Sequence, residues 1–236
     1  MSNINKPNKF LPTTKEEMKQ RGWDELDVVL ITGDAYIDSP FMGIAVVGRI
    51  LEDIGLRVGI IGQPDVNSDI DIKRMGEPKL FWGVSGGSID SMVSNYTATK
   101  KFRNSDDYTP GGQNNKRPDR ATLVYTNLIR RYFKNTVPIV LGGIEASLRR
   151  LTHYDYWTNK LRKPILFDTK ADYMVYGMGE QAIIDLGNYL KEGKDPRSIR
   201  GLCYISKEAP KEESFLEIPS HQACLDDKEK YIDLFK

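Results

Sequence analysis

DVVLITGDAYIDSPFMGIAVVGRILEDIGLRVGIIG, residues 27–62, is the stretch on which the fold turns. Asp27 leads into the apolar run Val28–Thr32, which ends at Gly33. An apolar run of strand length with no polar alternation is the pattern of a strand buried on both faces. Ser39-Pro40 then offers an N-cap and a first helical position. Ile44, Val47, Leu51 and Ile54 recur at helical spacing, and Gly55 stands where a helix stops. Residues 56–62 (LRVGIIG) read as a second strand. Strand, helix and strand in about 35 residues make a βαβ unit, whose strands are parallel.

The alternation continues outward. Residues 80–86, 137–143 and 171–177 read as further strands, and 202–206 as a last strand at an edge. Residues 88–98, 121–133 and 180–190 read as helices. The expected fold is therefore α/β, with a parallel sheet of five or six strands and helices on both faces, a flavodoxin-like, Rossmann-type arrangement. Residues 1–26 are expected to form an N-terminal extension with a short helix capped by Thr13 or Thr14. Residues 27–206 form the α/β domain, and 207–236 an acidic linker. The polar, Gly/Pro-rich segment 100–119 reads as a solvated loop, and a loop of that length is functional or disordered.

Composition excludes several classes. Of 236 residues, 39% are hydrophobic and 28% charged, which is globular, and the net charge of +1 marks neither nucleic acid nor membrane as partner. Two cysteines, Cys203 and Cys224, make no disulfide framework. Without a charged-then-apolar leader the chain reads as cytoplasmic, and no apolar run reaches the ~20 residues of a membrane span. Charge is uneven locally: Lys100 to Arg131 holds eight basic and three acidic residues, so contact with RNA through this loop is open but unsupported.

In open parallel sheets, ligands bind outside the carboxyl ends of the strands. Those ends carry Asp34 and Tyr36 after strand one, Ser85 at strand three, Gly142, Gly143, Glu145 and Ser147 at strand four, and Gly177, Gly179 and Glu180 at strand five. Glycine turns let a backbone or a ligand approach closely, and the helix N-termini that follow offer free N–H groups. Beyond Gly143 come Arg149, Arg150, His153, Tyr154 and Asp155, which suit an anion clamp or a docking surface. The plainer alternative is a local brace, with Asp155 paired to an arginine.

Three motifs compete for this edge. GMGEQA (177–182) has the form of a dinucleotide fingerprint, with Glu208 as its distant ribose acid. GVSGG (83–87) has the form of a nucleophile elbow, which would make Ser85 the serine of a hydrolase with His153 or His221. Cys203, His221 and Cys224 lack metal-site spacing, so no metal is expected. The remaining alternative is a stand-alone ligand-binding or docking module.

The longest unusual strings are PDRATLVYTNLIRRYFKNTVPIVLGGIEASLRRLTHYDYW, KADYMVYGMGE, FWGVSGGSIDSMVSNYTATKK and the N-terminal stretch from FLPTTKEE to GIIGQPD. Together they span most of residues 10–206 and resemble the N-terminal region of the YgiQ-like family of radical SAM proteins. The resemblance implies a cobalamin-binding-like α/β domain followed by a partial barrel. In that barrel a C-x-x-x-C-x-x-C motif holds an iron–sulfur cluster that cleaves S-adenosylmethionine. It implies that the intramolecular partner is that barrel, absent from this chain, and that the crevice faces it. This sequence has no such cysteine triplet, so it is not catalytic alone. Where a histidine-ligated cobalamin would require D-x-H-x-x-G, it reads Asp34-Ala35-Tyr36-Ile37-Asp38, which argues against cobalamin held by a protein nitrogen.

Overall fold

The computed structural model describes residues 10–209 and 215–236. In chain order the strands are β1 (Val28–Thr32), β2 (Val58–Gly62), β3 (Phe81–Ser85), β4 (Ile139–Gly142), β5 (His153–Asp155), β6 (Lys160–Arg162), β7 (Tyr173–Val175) and β8 (Leu202–Cys203). The helices are α1 (Lys15–Gln20), α2 (Gly43–Asp53), α3 (Ile70–Lys73), α4 (Ser91–Asn95), α5 (Ala121–Tyr132), α6 (Gly143–Leu148), α7 (Ile165–Thr169), α8 (Glu180–Lys191), α9 (His221–Asp226) and α10 (Lys228–Asp233).

Six strands form one sheet in the order β2-β1-β3-β4-β7-β8, and β5-β6 is a separate antiparallel hairpin. The residues of β1 divide between two cores. Val29 and Ile31 pack with Met18, Ile72, Tyr125 and Ile129 on one face. Val28 and Leu30 pack with Leu51, Ile183 and Leu186 on the other. That is why the strand reads as an unbroken apolar run: both of its faces are covered by helices. Leu11, Met18 and Leu26 are buried too, so the described part of the N-terminal segment belongs to the packed body.

Two local expectations need correction. Ser39-Pro40 does not start α2. The helix begins at Gly43 with Met42 as N-cap, while Met42 N donates to Ser39 O at 3.0 Å in a turn that carries proline at its second position. The sheet is also not wholly parallel, because β8 runs antiparallel to β7. Residues 192–201 turn back toward the start of α8, and Tyr176 N reaches Gly201 O at 3.2 Å. The chain thus enters the edge strand from the C-terminal end of β7. The order itself reverses between β1 and β3: the chain goes out to β2 and returns on the other side. In open α/β sheets the ligand crevice lies at that switch point.

Candidate functional site

The C-terminal edge of the sheet divides into an open half and a closed half. The open half is a cavity of about 420 Å³ between the ends of β1, β3, β4 and β7 and the first turns of α2 and α8. Its floor is apolar, with Leu30, Val84, Val140 and Val175, and Phe41, Ile144 and Met178 stand exposed at its mouth. Helices α2, α6 and α8 all begin here, with Met42, Gly142 and Gly179 as N-caps, and among the described residues no side chain accepts from their first N–H groups. Free N–H groups above an apolar floor suit a ligand with an apolar body and a polar or anionic edge. Gly177 lies in the left-handed region at φ 67°, and its N–H donates to Ser147 Oγ at 3.2 Å, which ties the β4 and β7 turns together. Glu180 is exposed at the same mouth.

The closed half is filled by carboxylates. Asp34, which stands at the boundary and also lines the cavity, is buried and accepts from Arg117 Nη2 at 2.7 Å and from Ser88 N at 2.6 Å. Arg117, also buried, reaches Asp106 at 3.1 Å with its other terminal nitrogen, and Ser94 as well. Asp106 accepts from Thr109 Oγ1 at 2.6 Å, and Gln63 Nε2 bridges Thr109 and Gly33 O at 2.7 and 3.0 Å. The segment expected as a solvated loop is therefore folded onto the ends of β1 and β2, because its Arg117 and Asp106, together with Asp34, satisfy one another out of water.

Glu145 plays the same part at β4. It is buried, and its two oxygens accept from Ser91 N at 3.0 Å and Thr122 N at 2.9 Å, which caps the starts of both α4 and α5. Asp90 caps α4 through Met92 N and Val93 N at 2.9 and 3.1 Å. Burial, then the nearby Glu145 charge, raises its pKa above the usual carboxylate value. The glycines here make room for these groups. A Cβ at Gly87, where φ is 119°, would strike the Asp34 carboxylate, and one at Gly86 would lie 2.5 Å from Glu145 Oε2.

The other expected residues divide between brace and surface. Tyr36 is half-buried, accepts from Leu11 N at 3.3 Å, and is pushed up to about 12, by burial above all. Arg149 pairs with Asp168 and donates to Lys163 O at 3.1 Å. Arg150 is exposed over the Tyr176 ring, 5.6 Å from its centroid, and has no carboxylate partner among the described residues. His153 lies on β5, its pKa lowered by burial and then by Arg149. Tyr154 donates its hydroxyl to Asn159 at 2.7 Å, and its N–H to Tyr231 Oη on α10 at 3.1 Å. Asp155 is buried and accepts from Arg120 at 2.5 Å and Thr158 at 2.6 Å. Burial alone would raise its pKa, but these partners hold it at about 2. Sequence reasoning missed the β5–β6 hairpin, Asp90, Asp106 and Arg117. The one local signal was Asn159, which takes the left-handed conformation (φ 53°) at the hairpin turn.

Geometry decides two motifs. An elbow serine needs a strained backbone, yet Ser85 is the last residue of β3, is absent from the positive-φ positions, and bonds to Gly87 N at 3.2 Å. Among the described residues no hydrogen bond joins Ser85 to a histidine; His221 Nδ1 faces Thr152 Oγ1 at 3.1 Å. GMGEQA does open a helix after β7, but β8 then leaves toward the N-terminal end of the sheet, so Glu208 cannot serve as a ribose acid at this edge. Among the described residues no three His, Cys, Asp or Glu side chains gather to hold a metal, and no helix is long and apolar enough to cross a membrane.

A strand order of β2-β1-β3-β4-β7, with the cavity at its switch point, defines a doubly wound, flavodoxin-like α/β domain. The radical SAM methyltransferase TsrM from Kitasatospora setae, solved with cobalamin and a [4Fe-4S] cluster, shares this fold. The match has a TM-score of 0.51 at 20% identity, over 77% of this chain and 29% of that one. The chain belongs to the radical SAM N-terminal family, whose model matches residues 10–236, in keeping with its resemblance to the N-terminal region of YgiQ-like proteins. UPF0313 proteins of Fusobacterium nucleatum and Thermotoga maritima are similar at 61% and 53% identity, each over 96% of this chain. The chain spans 40% of the length of each of these relatives.

Proposed function

We propose that this chain is the substrate-facing domain of a radical SAM enzyme. In this reading the crevice at the ends of β1, β3, β4 and β7 opens toward a catalytic barrel in the rest of the polypeptide, and residues 207–236 are the acidic connection to it. The open half of the edge carries the reading: an apolar cavity with uncapped helix starts and exposed Phe41, Ile144 and Met178 at its mouth. Exposed apolar groups around a cavity mark a surface that something covers. Here they would exclude water from the reacting centre, while the free N–H groups of α2 and α8 orient a polar edge of the substrate.

The residues present do not fit an iron–sulfur cluster. Cys203 is half-buried with its thiol pKa raised by burial, and Cys224 is buried with Sγ 3.8 Å from Lys230 O, so no thiolate triplet exists. The cluster and S-adenosylmethionine therefore fall to the barrel. Nor do they fit a histidine-ligated cobalamin: Asp34 is committed to Arg117, and His153 and His221 lie on β5 and α9.

Photoreactive benzoylphenylalanine at Met178 of the full-length protein tests the arrangement. Irradiation should give an intramolecular cross-link that mass spectrometry maps to the barrel, near its cluster cysteines. Links only to a separate polypeptide would make this a docking module. Absence of any link would sink the reading.

A further inference from the structure

Away from the cavity, two turns that the proposed function does not use are stitched into one exposed surface. The first runs from Tyr96 to Arg103 after α4, and the second is the β5–β6 hairpin after α6. Both leave the same sheet edge as the cavity, through helices of only five and six residues. Tyr156 Oη donates to Ala98 O at 2.7 Å, and Lys100 Nζ donates to Tyr156 O and Trp157 O at 3.0 and 3.2 Å. The first turn closes on itself through the Tyr96–Phe102 bridge.

This stitching lines up four aromatic rings. Phe102 to Tyr96, Tyr96 to Trp157 and Trp157 to Tyr156 are 5.5, 5.6 and 5.4 Å apart between centroids, and Lys100 Nζ lies 4.7 Å over the Tyr156 ring. The rings are not buried as a core would be: Phe102 is 53% exposed and Tyr156 49%. Charge follows the rings. Residues 96–103 and 153–163 hold Lys100, Lys101, Arg103, Lys160, Arg162 and Lys163 against a single carboxylate, Asp155. That carboxylate is buried under Arg120 and Arg162. At the border, Asp119 is engaged by Tyr96 Oη at 2.8 Å. The ammonium groups of Lys101 and Lys160 have no acceptor among the described residues and point to no internal role.

Two exposed rings, Phe102 and Tyr156, backed by the half-buried Tyr96 and Trp157 and flanked by Lys101 and Lys160, match one chemistry: a flexible polyanion whose units carry flat faces. We propose that this surface binds single-stranded nucleic acid, stacking bases on Phe102 and Tyr156 and pairing phosphates with Lys101 and Lys160. An acidic protein surface would use the cations and leave the rings unexplained. A double helix would hide the base faces that the rings need. The proposal stands independently of what the cavity holds.

The test uses the full-length protein and a fluorescein-labelled 20-nucleotide oligouridylate, followed by fluorescence anisotropy from 50 to 200 mM salt. Saturable binding that weakens with salt is expected. Phe102→Ala should weaken it by about fivefold or more, the loss of one stacked base. Lys101→Ala with Lys160→Ala should weaken it and lower the slope of log affinity against log salt by about 1.4, at ~0.7 per phosphate contact. Unchanged circular dichroism melts keep these losses from being misfolding. Absence of binding by the wild type would overturn the proposal. So would loss in the lysine variant without loss in Phe102→Ala, the mark of a general polyanion site. Photo-cross-linking from position 102 to the protein's own remaining polypeptide would also overturn it and make the surface an internal interface.

Discussion

Gly33, Gly86 and Gly87 at the ends of β1 and β3, and Gly142 and Gly177 at the ends of β4 and β7, look alike as sequence, yet they solve different problems. The first set is packed. A Cβ at Gly33 would overlap the Gly86 carbonyl, and Gly86 and Gly87 make room for Glu145 and Asp34. The second set faces open space: a Cβ at Gly142 would meet only Val175 O at 3.9 Å, and one at Gly177 nothing within 4 Å. Glycine in a βα turn therefore does not identify a ligand site. What identifies it is whether a neighbouring side chain already occupies the space the missing Cβ leaves. In the closed half that occupant is a buried carboxylate, and the edge becomes rigid. In the open half the space is free, and the edge can receive something.

The largest expected effect lies in the closed half. Arg117→Ala leaves Asp34 and Asp106 buried without their cation, and such an orphaned charge costs about 3–5 kcal/mol. Urea unfolding of this domain in the wild type and variant measures it. A loss under about 1 kcal/mol would mean that segment 100–119 opens and hydrates its aspartates, and the closed half would be closed only in appearance.

Adjacent glycines sharpen the contrast at intermediate cost. Gly143 has φ 79°, and a Cβ there would lie 2.6 Å from Ser85 Oγ. Gly143→Ala should cost about 2 kcal/mol or more, from the left-handed backbone and the clash together. Gly142 is extended, so Gly142→Ala should stay within about 0.5 kcal/mol. Adding Ser85→Ala to Gly143→Ala should recover the part due to the clash and leave the backbone part. Equal losses at both positions would erase the distinction between packed and open turns.

These contrasts also explain what could be read beforehand. The apolar runs of β1 to β4 and the spacing in α2, α5 and α8 are set by burial on a periodic backbone, so their pattern survives in one dimension. The antiparallel entry of β8 depends on the path of residues 192–201 against α8, which has no local code. The cavity edge was legible because glycine and hydroxyl residues cluster at strand ends. The role of Glu145 was not, since a carboxylate that caps two helices and one that faces a ligand are the same letter. Arg117 and Asp106 lie in a polar segment, where burial arises from their pairing with each other and from that of Arg117 with Asp34, more than eighty residues away. His153-Tyr154-Asp155 reads as a site or as a brace from sequence, and its contacts with Arg120, Thr158 and Asn159 supply the brace.

The smallest effect concerns protons in the closed half. Burial, then the Glu145 charge, raises the Asp90 pKa above the usual 3.8, while the N–H groups of Val93 and Met92 pull it back. A carboxyl that binds its proton more tightly when folded opposes folding once ionised. Its penalty is present at neutral pH and is relieved as pH falls through the folded pKa toward 3.8. Asparagine caps a helix about as well as aspartate and carries no charge. Asp90→Asn should therefore raise the urea midpoint at pH 7 and lose that advantage near pH 4, where the wild-type carboxyl takes up its proton. A variant less stable at both pH values would show that the charged cap on α4 outweighs the repulsion from Glu145. The closed half would then hold the Asp90 carboxylate for the charge-assisted bonds to Met92 and Val93, and not merely tolerate it.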